Sequence, residues 1–185
     1  MSNKAVVQQR FKGKKVLVTG ASGGIGSVLV SSLRKEGASV AVSDLETSNI
    51  KADVHFDGDL LDSSFCDFLP SRVAKHFNGI DILFNNAGVI TRGKITDTSD
   101  ADYSKTMGVN VEAPFRLCRA VIPLMKPGSS IVNTASCWGL RPGPEHPLYV
   151  MSKASIASLT QCLGRDHASD GIRVNAVCPN EVNTN

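Results

Sequence analysis

Short runs of β-branched and apolar residues alternate with segments of helical period along most of this chain. Six such runs predict buried strands, over residues 14–19, 39–44, 53–57, 79–85, 129–135 and 172–178. Strands that alternate with helices require right-handed crossovers and a parallel sheet with helices on both faces. We therefore predict an α/β fold, a doubly wound parallel sheet, as a single domain over residues 1–185.

The segments between the strands carry apolar residues at helical spacing. One helix is predicted directly after the first strand and another over residues 148–167. Residues 63–77 predict a helix that is kinked or split at Pro70, because proline removes a helical hydrogen bond. Residues 100–125 are also helical in pattern, although Gly108 argues against one unbroken helix.

Composition and charge argue against several classes of function. The formal net charge is +3 and the Lys and Arg residues are scattered, which disfavours a nucleic-acid or membrane partner. The five cysteines are odd in number and widely spaced, a pattern typical of reduced thiols and not of a disulfide framework. The His and Cys spacings do not indicate a bound metal. We expect a cytoplasmic protein.

The stretch TGASGGIG, residues 19–26, follows the first predicted strand and opens the helix after it. Glycines there let the backbone approach a pyrophosphate, and the helix N-terminus offers free N–H groups to it. The residues predicted to form this dinucleotide site are Gly20, Ser22, Gly23, Gly24, Ile25 and Gly26. A glycine-rich turn that merely closes tightly is the alternative interpretation.

Asp44 ends the second predicted strand, 18 residues beyond Gly26. An acid at an interval of about 20 residues is expected to bind the ribose hydroxyls of NAD. Its carboxylate would repel a 2′-phosphate, and neither the glycine turn nor the residue after Asp44 supplies an Arg or Lys to neutralise one. We therefore predict NAD rather than NADP as the cofactor. A solvated Asp at a strand end is the alternative.

Several motifs stand in a characteristic order along the chain. They are the glycine spacing G-x-x-x-G-x-G, NNAG at residues 85–88, Asn110, Ser136 and YVMSK at residues 149–153. In this order they resemble the motifs of the short-chain dehydrogenase/reductase (SDR) family, and the resemblance covers nearly the whole chain. It implies a Rossmann-type sheet and the activity of an NAD(P)-dependent oxidoreductase.

Tyr149 and Lys153 are four residues apart, so a helix would place both side chains on one face. Moving a hydride between a nicotinamide and an alcohol or carbonyl carbon also requires a group that moves the oxygen's proton. Tyr149 is the predicted acid/base; a free phenol has a pKa of about 10, and the Lys153 ammonium is expected to stabilise the phenolate. Ser136 is expected to hydrogen-bond the substrate oxygen. The alternatives are a core tyrosine, a surface lysine and a helix-capping serine.

The family resemblance implies further site residues. Asn110 would help to hold a water that links Lys153 to solvent. The positions that match cofactor contacts of the family are Asp59, Leu60, Asn86, Ala87, Gly88, Tyr149, Lys153, Pro179 and Thr184. One position departs from the family pattern, because Asn180 stands where a glycine is usual, and Asn adopts fewer backbone conformations than glycine.

The candidate substrate contacts are Arg92, Trp138, Arg141 and His146. Two arginines near one catalytic tyrosine could clamp a carboxylate, as in a sugar acid, because guanidinium binds carboxylate through two hydrogen bonds. Solvated loop arginines and a tryptophan that serves packing are the alternative interpretation.

We predict an NAD-dependent oxidoreductase that transfers hydride between the nicotinamide and a small-molecule secondary alcohol or ketone, for example a polyol, a sugar or a sugar acid. Two alternatives remain open. One is a 3-oxoacyl-thioester reductase of the same family, which Asp44 disfavours because that chemistry usually runs on NADP. The other is a non-catalytic NAD-binding or scaffold protein.

The resemblance also bears on chain organisation and assembly. Family members continue after the sixth strand with a segment that covers the substrate and with a seventh strand, both of which we expect residues 1–185 to lack. The helices around residues 103–125 and 149–167 pair with their symmetry mates in the family. We therefore expect a homodimer or homotetramer.

Overall fold

The computed structural model describes residues 8–183 and contains one parallel sheet. Its strands are β1 (Lys15–Thr19), β2 (Ser39–Asp44), β3 (Val54–Asp57), β4 (Ile82–Asn85), β5 (Ser130–Thr134) and β6 (Arg173–Val177). Their spatial order is β3-β2-β1-β4-β5-β6. Each predicted strand is present, and the largest difference is at β4, which begins at Ile82 instead of residue 79.

Helices and short helical turns connect these strands. The helices are α1 (Gly24–Lys35), α2 (Ser63–Phe77), α3 (Asp100–Met107), α4 (Ala113–Val121) and α5 (Pro147–Asp166). A π turn, Gly108–Glu112, joins α3 to α4. Single 3-10 turns lie at Ile95–Asp97, Ile122–Leu124 and Cys137–Gly139.

Apolar clusters cover both faces of the sheet, because successive side chains of a strand point to opposite faces. Leu17 of β1 lies in a cluster with residues from α2 and α4, such as Leu69 and Leu117. Its neighbours Val16 and Val18 lie in a second cluster, with residues of α1. The predicted doubly wound α/β fold is therefore confirmed.

The sheet changes its direction of winding next to β1, which pairs with β2 on one side and with β4 on the other. In doubly wound sheets, ligands bind at the carboxyl ends of the strands beside such a switch point. The turns that follow β1, β4 and β5 share this edge of the sheet. The predicted site residues lie in and around those turns.

Residues 63–77 form one helix that continues through Pro70, so of the two predicted outcomes, a kink or a split, the split is excluded. Pro70 is buried together with Cys66, Leu69 and Val73 on the face that packs against the sheet. Burial of this apolar face offsets the single hydrogen bond that proline removes. At the N-terminus, the Asp62 side chain caps the helix by accepting two backbone N–H groups.

The segment 100–125 is not one regular helix, as Gly108 indicated, but its helical backbone continues through Gly108 without a break. The irregularity is a π turn of five residues, in which the helix widens and Asn110 lies in the middle. Pro114 falls in the first turn of α4, where a missing N–H group costs little.

Candidate active site

The glycine turn between β1 and α1 packs tightly against the loop that follows β4. Gly20 has a φ of +64°, and a Cβ at this position would lie 2.5 Å from the Cα of Ala87. A Cβ on Gly26 would lie 2.0 Å from the carbonyl oxygen of Gly20. Gly20 therefore requires glycine both for its backbone conformation and for space, and Gly26 requires glycine for space.

The N-terminus of α1 is open at this turn. Gly23 is the N-cap residue and has no side chain with which to cap the helix. The N–H groups of the first turn, at Gly24, Ile25 and Gly26, have no partner within the helix itself. Together with the helix dipole, these groups suit an anion such as a pyrophosphate.

Asp44, at the end of β2, contacts the glycine turn directly. Its Oδ2 accepts the backbone N–H of Ser22 at 2.9 Å, and its Oδ1 accepts that of Leu45 at 2.8 Å. A carboxylate offers about four acceptor positions, so these two bonds leave capacity for two hydroxyl donors. The sequence pattern did not reveal the bond to Ser22, because it depends on the fold of the turn.

The two residues predicted to flank an adenine lie at the same edge of the sheet. They follow β3, which pairs with β2 in a register that sets Asp57 opposite Asp44. Asp59 is exposed, and its Oδ1 accepts the N–H of Leu61 at 2.9 Å. Leu60 is partly buried and packs against the larger core cluster.

The NNAG loop after β4 reaches both the glycine turn and Lys153, one of the predicted catalytic residues. The Asn86 amide donates to the carbonyl oxygens of Gly20, at 3.0 Å, and of Thr19, at 3.3 Å. A Cβ on Gly88 would lie 3.2 Å from Nζ of Lys153, so the loop backbone packs close to this ammonium. The loop thereby links the two predicted halves of the site.

Asn110 lies in the π turn and is only 1% exposed. Its Oδ1 accepts the backbone N–H of Val89 at 2.8 Å, and its Nδ2 donates to the Val89 carbonyl at 2.9 Å. The same Nδ2 donates to Oγ of Ser152 on α5, also at 2.9 Å. Asn110 therefore fixes the NNAG loop to both the π turn and α5.

Tyr149 and Lys153 project from one face of α5, as their spacing predicted. Nζ of Lys153 lies 5.8 Å from the centre of the Tyr149 ring. Ser136, directly beyond β5, accepts the backbone N–H of Trp138 at 3.2 Å, which leaves its hydroxyl proton available to a ligand. A Cβ on Gly139 would lie 2.8 Å from the carbonyl oxygen of Lys153, so the turn after Ser136 packs closely on α5.

Lys153 is 4% exposed, which is unusual for a lysine. Its Nζ donates to the carbonyl oxygen of Thr134 at 2.7 Å. Burial disfavours the charged form and lowers the pKa of Lys153 to about 8. The side chain therefore remains mainly protonated at neutral pH and can stabilise a nearby anion.

The four candidate substrate residues lie in two loops that touch each other. The loops meet where the N–H of Gly93 donates to the carbonyl of Glu145 at 2.7 Å. Trp138 makes an edge contact with the Tyr149 ring, with centres 6.3 Å apart, and packs on His146 at 4.6 Å. Arg92 and Arg141 are both exposed. Trp138 contacts Tyr149 directly and His146 packs on Trp138, whereas the two arginines lie exposed on the loops.

The segment after β6 approaches the Ser136 turn. The carbonyl of Pro179 accepts the N–H of Cys137 at 3.0 Å, and Oδ1 of Asn180 accepts the Cys137 thiol at 3.1 Å. Within residues 8–183, positive φ outside glycine occurs at Asn78 and Glu145, so Asn180 keeps an ordinary backbone conformation. Thr184, the predicted carboxamide contact, lies outside the described residues.

Across residues 8–183, no three His, Cys, Asp or Glu side chains gather as a metal site would require. No helix in that part of the chain is long and apolar enough to cross a membrane.

Comparison with known sequences gives many relatives. Residues 14–185 match the family described as short chain dehydrogenase. An uncharacterized oxidoreductase of Thermotoga maritima is 38% identical over 182 residues, which cover 91% of this chain and 72% of the relative. Meso-2,3-butanediol dehydrogenase of Serratia marcescens is 32% identical over 188 residues, with shares of 95% and 74%.

Solved structures resemble the fold closely. A short chain dehydrogenase from Burkholderia cenocepacia in complex with NADP superposes with a TM-score of 0.90 at 34% identity, over 95% of this chain and 77% of that one. An NAD⁺-bound xylitol dehydrogenase gives a TM-score of 0.87 at 29% identity, over 95% and 73%. With the motifs, the topology and the family match in agreement, the chain belongs to the short-chain dehydrogenase/reductase family of oxidoreductases.

Proposed function

We propose that this protein is an NAD-dependent oxidoreductase that transfers hydride between the nicotinamide and a secondary alcohol or ketone. The observation that carries the proposal is the buried Lys153 ammonium beside the Tyr149 ring, with Ser136 at the start of a turn that packs on the same helix. A protein that only bound a dinucleotide would have no need to keep the complete set of Ser136, Tyr149 and Lys153, because Ser136 is expected to contact substrate. The alternative of a non-catalytic binder is therefore disfavoured.

The residues at the switch point fit a dinucleotide. Side chains at Gly20 or Gly26 would collide with backbone, and the α1 N-terminus offers unpaired N–H groups for a pyrophosphate. Asp44 retains acceptor capacity for ribose hydroxyls and carries the charge that repels a 2′-phosphate. The family includes proteins with either cofactor, and Asp44 supports NAD for this chain.

Each catalytic side chain has a distinct role in the proposed reaction. The bound nicotinamide supplies the hydride chemistry. Tyr149 gives a proton to the carbonyl oxygen in reduction and takes it back in oxidation, and Lys153 stabilises its phenolate. Ser136 donates a hydrogen bond that holds the substrate oxygen against Tyr149. Asn110 keeps the loop and the helix that carry these groups in register.

For the substrate, we propose a small polar alcohol or ketone such as a polyol, a sugar or a sugar acid. The names of the butanediol and xylitol dehydrogenases support a polyol. Trp138 and His146 line the approach to Tyr149, and either exposed arginine is free to meet a carboxylate. A 3-oxoacyl-thioester reductase remains the second candidate, and Asp44 disfavours it.

We further propose that the chain assembles as a homodimer. Met107, Val111, Phe115 and Leu159, with Glu112 beside them, line a groove between the helices that the family resemblance pairs with a second copy. Phe115 is about half exposed in the single chain, and a second copy seated on this groove would cover it. Light scattering of the protein and of Phe115→Glu tests this proposal: a dimer that becomes a monomer supports it, and a monomeric wild type contradicts it.

The cytoplasmic location also remains a proposal. All five cysteines carry free thiols in the structure, which suits a reducing compartment.

The experiment that tests the proposed function is a fluorescence titration of the purified protein with NADH and NADPH. The same sample is then screened with polyols, sugars, sugar acids and 3-oxoacyl thioesters for an absorbance change at the nicotinamide band. We expect tighter NADH binding and turnover of a polyol or sugar. Turnover of only thioesters with NADPH would replace the proposal with the second candidate, and binding without any turnover would favour the non-catalytic alternative.

A further inference from the structure

The segment that follows Asp44 is largely exposed but is anchored at one buried residue. Leu45 is 70% exposed, and Glu46, Ser48 and Asn49 are also exposed, whereas Thr47 is only 1% exposed. Thr47 is the one buried side chain among residues 45–49, so its contacts contribute strongly to holding these residues in place. The contacts of Thr47 therefore determine how firmly the segment is fixed.

Two side chains of the neighbouring strand β3 bind the Thr47 hydroxyl. The hydroxyl donates to Oδ1 of Asp57 at 2.6 Å, and Nδ1 of His55 lies 3.0 Å from the same oxygen. Because the hydroxyl proton goes to the carboxylate, Nδ1 of His55 must carry a hydrogen and donate it. Thr47 thus joins a short hydrogen-bond chain from His55 to Asp57.

The anchored segment also reaches the glycine turn. The hydroxyl of Ser22 donates to the carbonyl of Glu46, the residue directly before Thr47. The backbone N–H of the same Ser22 donates to the Asp44 carboxylate. Ser22 is therefore held from two sides, and the orientation of Asp44 depends on the segment that Thr47 fixes to β3.

We propose that Thr47 is a positioning residue for cofactor selection, which holds Asp44 where it takes ribose hydroxyls and repels a 2′-phosphate. This inference rests on the proposed NAD-dependent function. Without the Thr47 hydroxyl, residues 45–47 lose their attachment to Asp57 and His55, and the Asp44 carboxylate gains freedom to turn away. Binding of NADH then weakens, while the barrier to NADPH falls.

Thr47→Val and Thr47→Ser form a matched pair for the test. Valine keeps the shape of threonine and removes the hydroxyl, and serine keeps the hydroxyl. The measurement is the dissociation constants of NADH and NADPH for wild type and both variants, by fluorescence titration. We expect Thr47→Val to lower the ratio of the NADPH constant to the NADH constant by about fivefold or more, the scale of one or two hydrogen bonds. Thr47→Ser should restore the wild-type ratio.

Thr160→Val controls for a general loss of stability. Thr160 is also a buried threonine with two hydrogen bonds, but its hydroxyl accepts the Asn133 amide of β5 and donates to the Ile156 carbonyl within α5, away from Asp44. It should lower the melting temperature and leave the cofactor ratio unchanged. If Thr47→Val does not fold, Asp57→Ala removes the same hydrogen bond from an exposed position.

The outcomes separate this inference from the function on which it rests. A wild type that prefers NADH, with a cofactor ratio that Thr47→Val or Asp57→Ala leaves unchanged, overturns the inference alone. A wild type that prefers NADPH, or that binds neither cofactor, overturns the proposed function and the inference with it. A changed ratio in Thr160→Val would overturn the specific role of Thr47.

Discussion

The two ends of the proposed cofactor site are held in different ways. Around Lys153 the contacts are buried: the NNAG loop and β5 lie close to the ammonium, and the π turn binds the preceding residue, Ser152. Around Asp44, the contacts are backbone N–H groups of an exposed turn and an exposed segment. The proposed catalytic geometry therefore depends on the packed core, whereas the proposed preference for NAD depends on a few hydrogen bonds near the surface.

The largest expected effect is at the catalytic end alone. Tyr149→Phe removes the proton donor. It should lower turnover of the substrate that the screen identifies by about 10³-fold, because general acid/base catalysis contributes on this scale. The NADH dissociation constant should stay within about twofold, since the hydroxyl acts on the substrate. Steady-state kinetics and NADH titration measure the two effects. Tyr103→Phe, at a half-exposed position on α3, is the control and should remain active; turnover by Tyr149→Phe near wild type would refute the acid/base role.

The glycine turn joins the two ends, and its substitution tests how tightly they are coupled. Gly20→Ala introduces both a left-handed backbone penalty and a collision with Ala87, and should lower the free energy of unfolding by more than about 3 kcal/mol. Gly13→Ala is the matched control, since Gly13 has a φ of +75° with open space around its Cβ position. It should lose only about 1 kcal/mol. Urea denaturation measures both, and equal losses would show that the close approach to Ala87 is not rigid.

The burial of Lys153 predicts a pH dependence of stability. Its pKa is lowered to about 8 in the folded protein from 10.5, so between these values the unfolded chain holds a proton that the folded protein has lost. Stability therefore rises with pH in that window, and the penalty of burying the ammonium is fully present below it. Relative to Lys153→Met, wild type should gain about 2 kcal/mol between pH 7 and pH 9.5. Urea denaturation of both proteins at the two pH values checks this, and a constant difference would contradict it.

The smallest expected effect is at the adenosine end. Asp44→Ser should weaken NADH binding about tenfold and leave NADPH binding equal or improved, because the ribose contact and the repulsion of the 2′-phosphate are lost together. Asp59→Asn is the control: Asp59 is proposed to flank the adenine, which both cofactors share, so this change should affect them equally. Fluorescence titration measures both constants, and an equal loss for the two cofactors in Asp44→Ser would exclude the ribose role.

The sequence predicted those parts of the molecule that depend on local pattern. Periodicity and residue type predicted the six strands, the helix with Tyr149 and Lys153, and the irregularity of the helix at Gly108. The same local rules left open a kink or a split at Pro70, and the split is absent because burial of the apolar helix face outweighs one missing hydrogen bond. Tertiary packing decided that case.

Contacts between distant residues were not predictable from pattern. Ser152 and Asn110 form a hydrogen bond although they are 42 positions apart in the sequence. The Lys153 ammonium donates to the backbone carbonyl of Thr134, and a backbone carbonyl is present whatever the residue type, so the sequence cannot indicate this contact. The Thr47 anchor is similar, because a threonine in a polar loop has no sequence signal for burial. Such contacts require the register of the sheet to be known first.

The π turn gives this site a dependence on chain length as well as on residue identity. One extra residue in a helix rotates everything beyond it by about 100° relative to what precedes it. Deleting a single residue from Gly108–Glu112 would let α3 and α4 merge into one regular helix. The apolar face of α4 could stay on the sheet, but the Asn110 amide would turn away from Val89. A chain shortened in this way would have a more regular helix, but the loop after β4 would lose the hydrogen bonds by which Asn110 holds it.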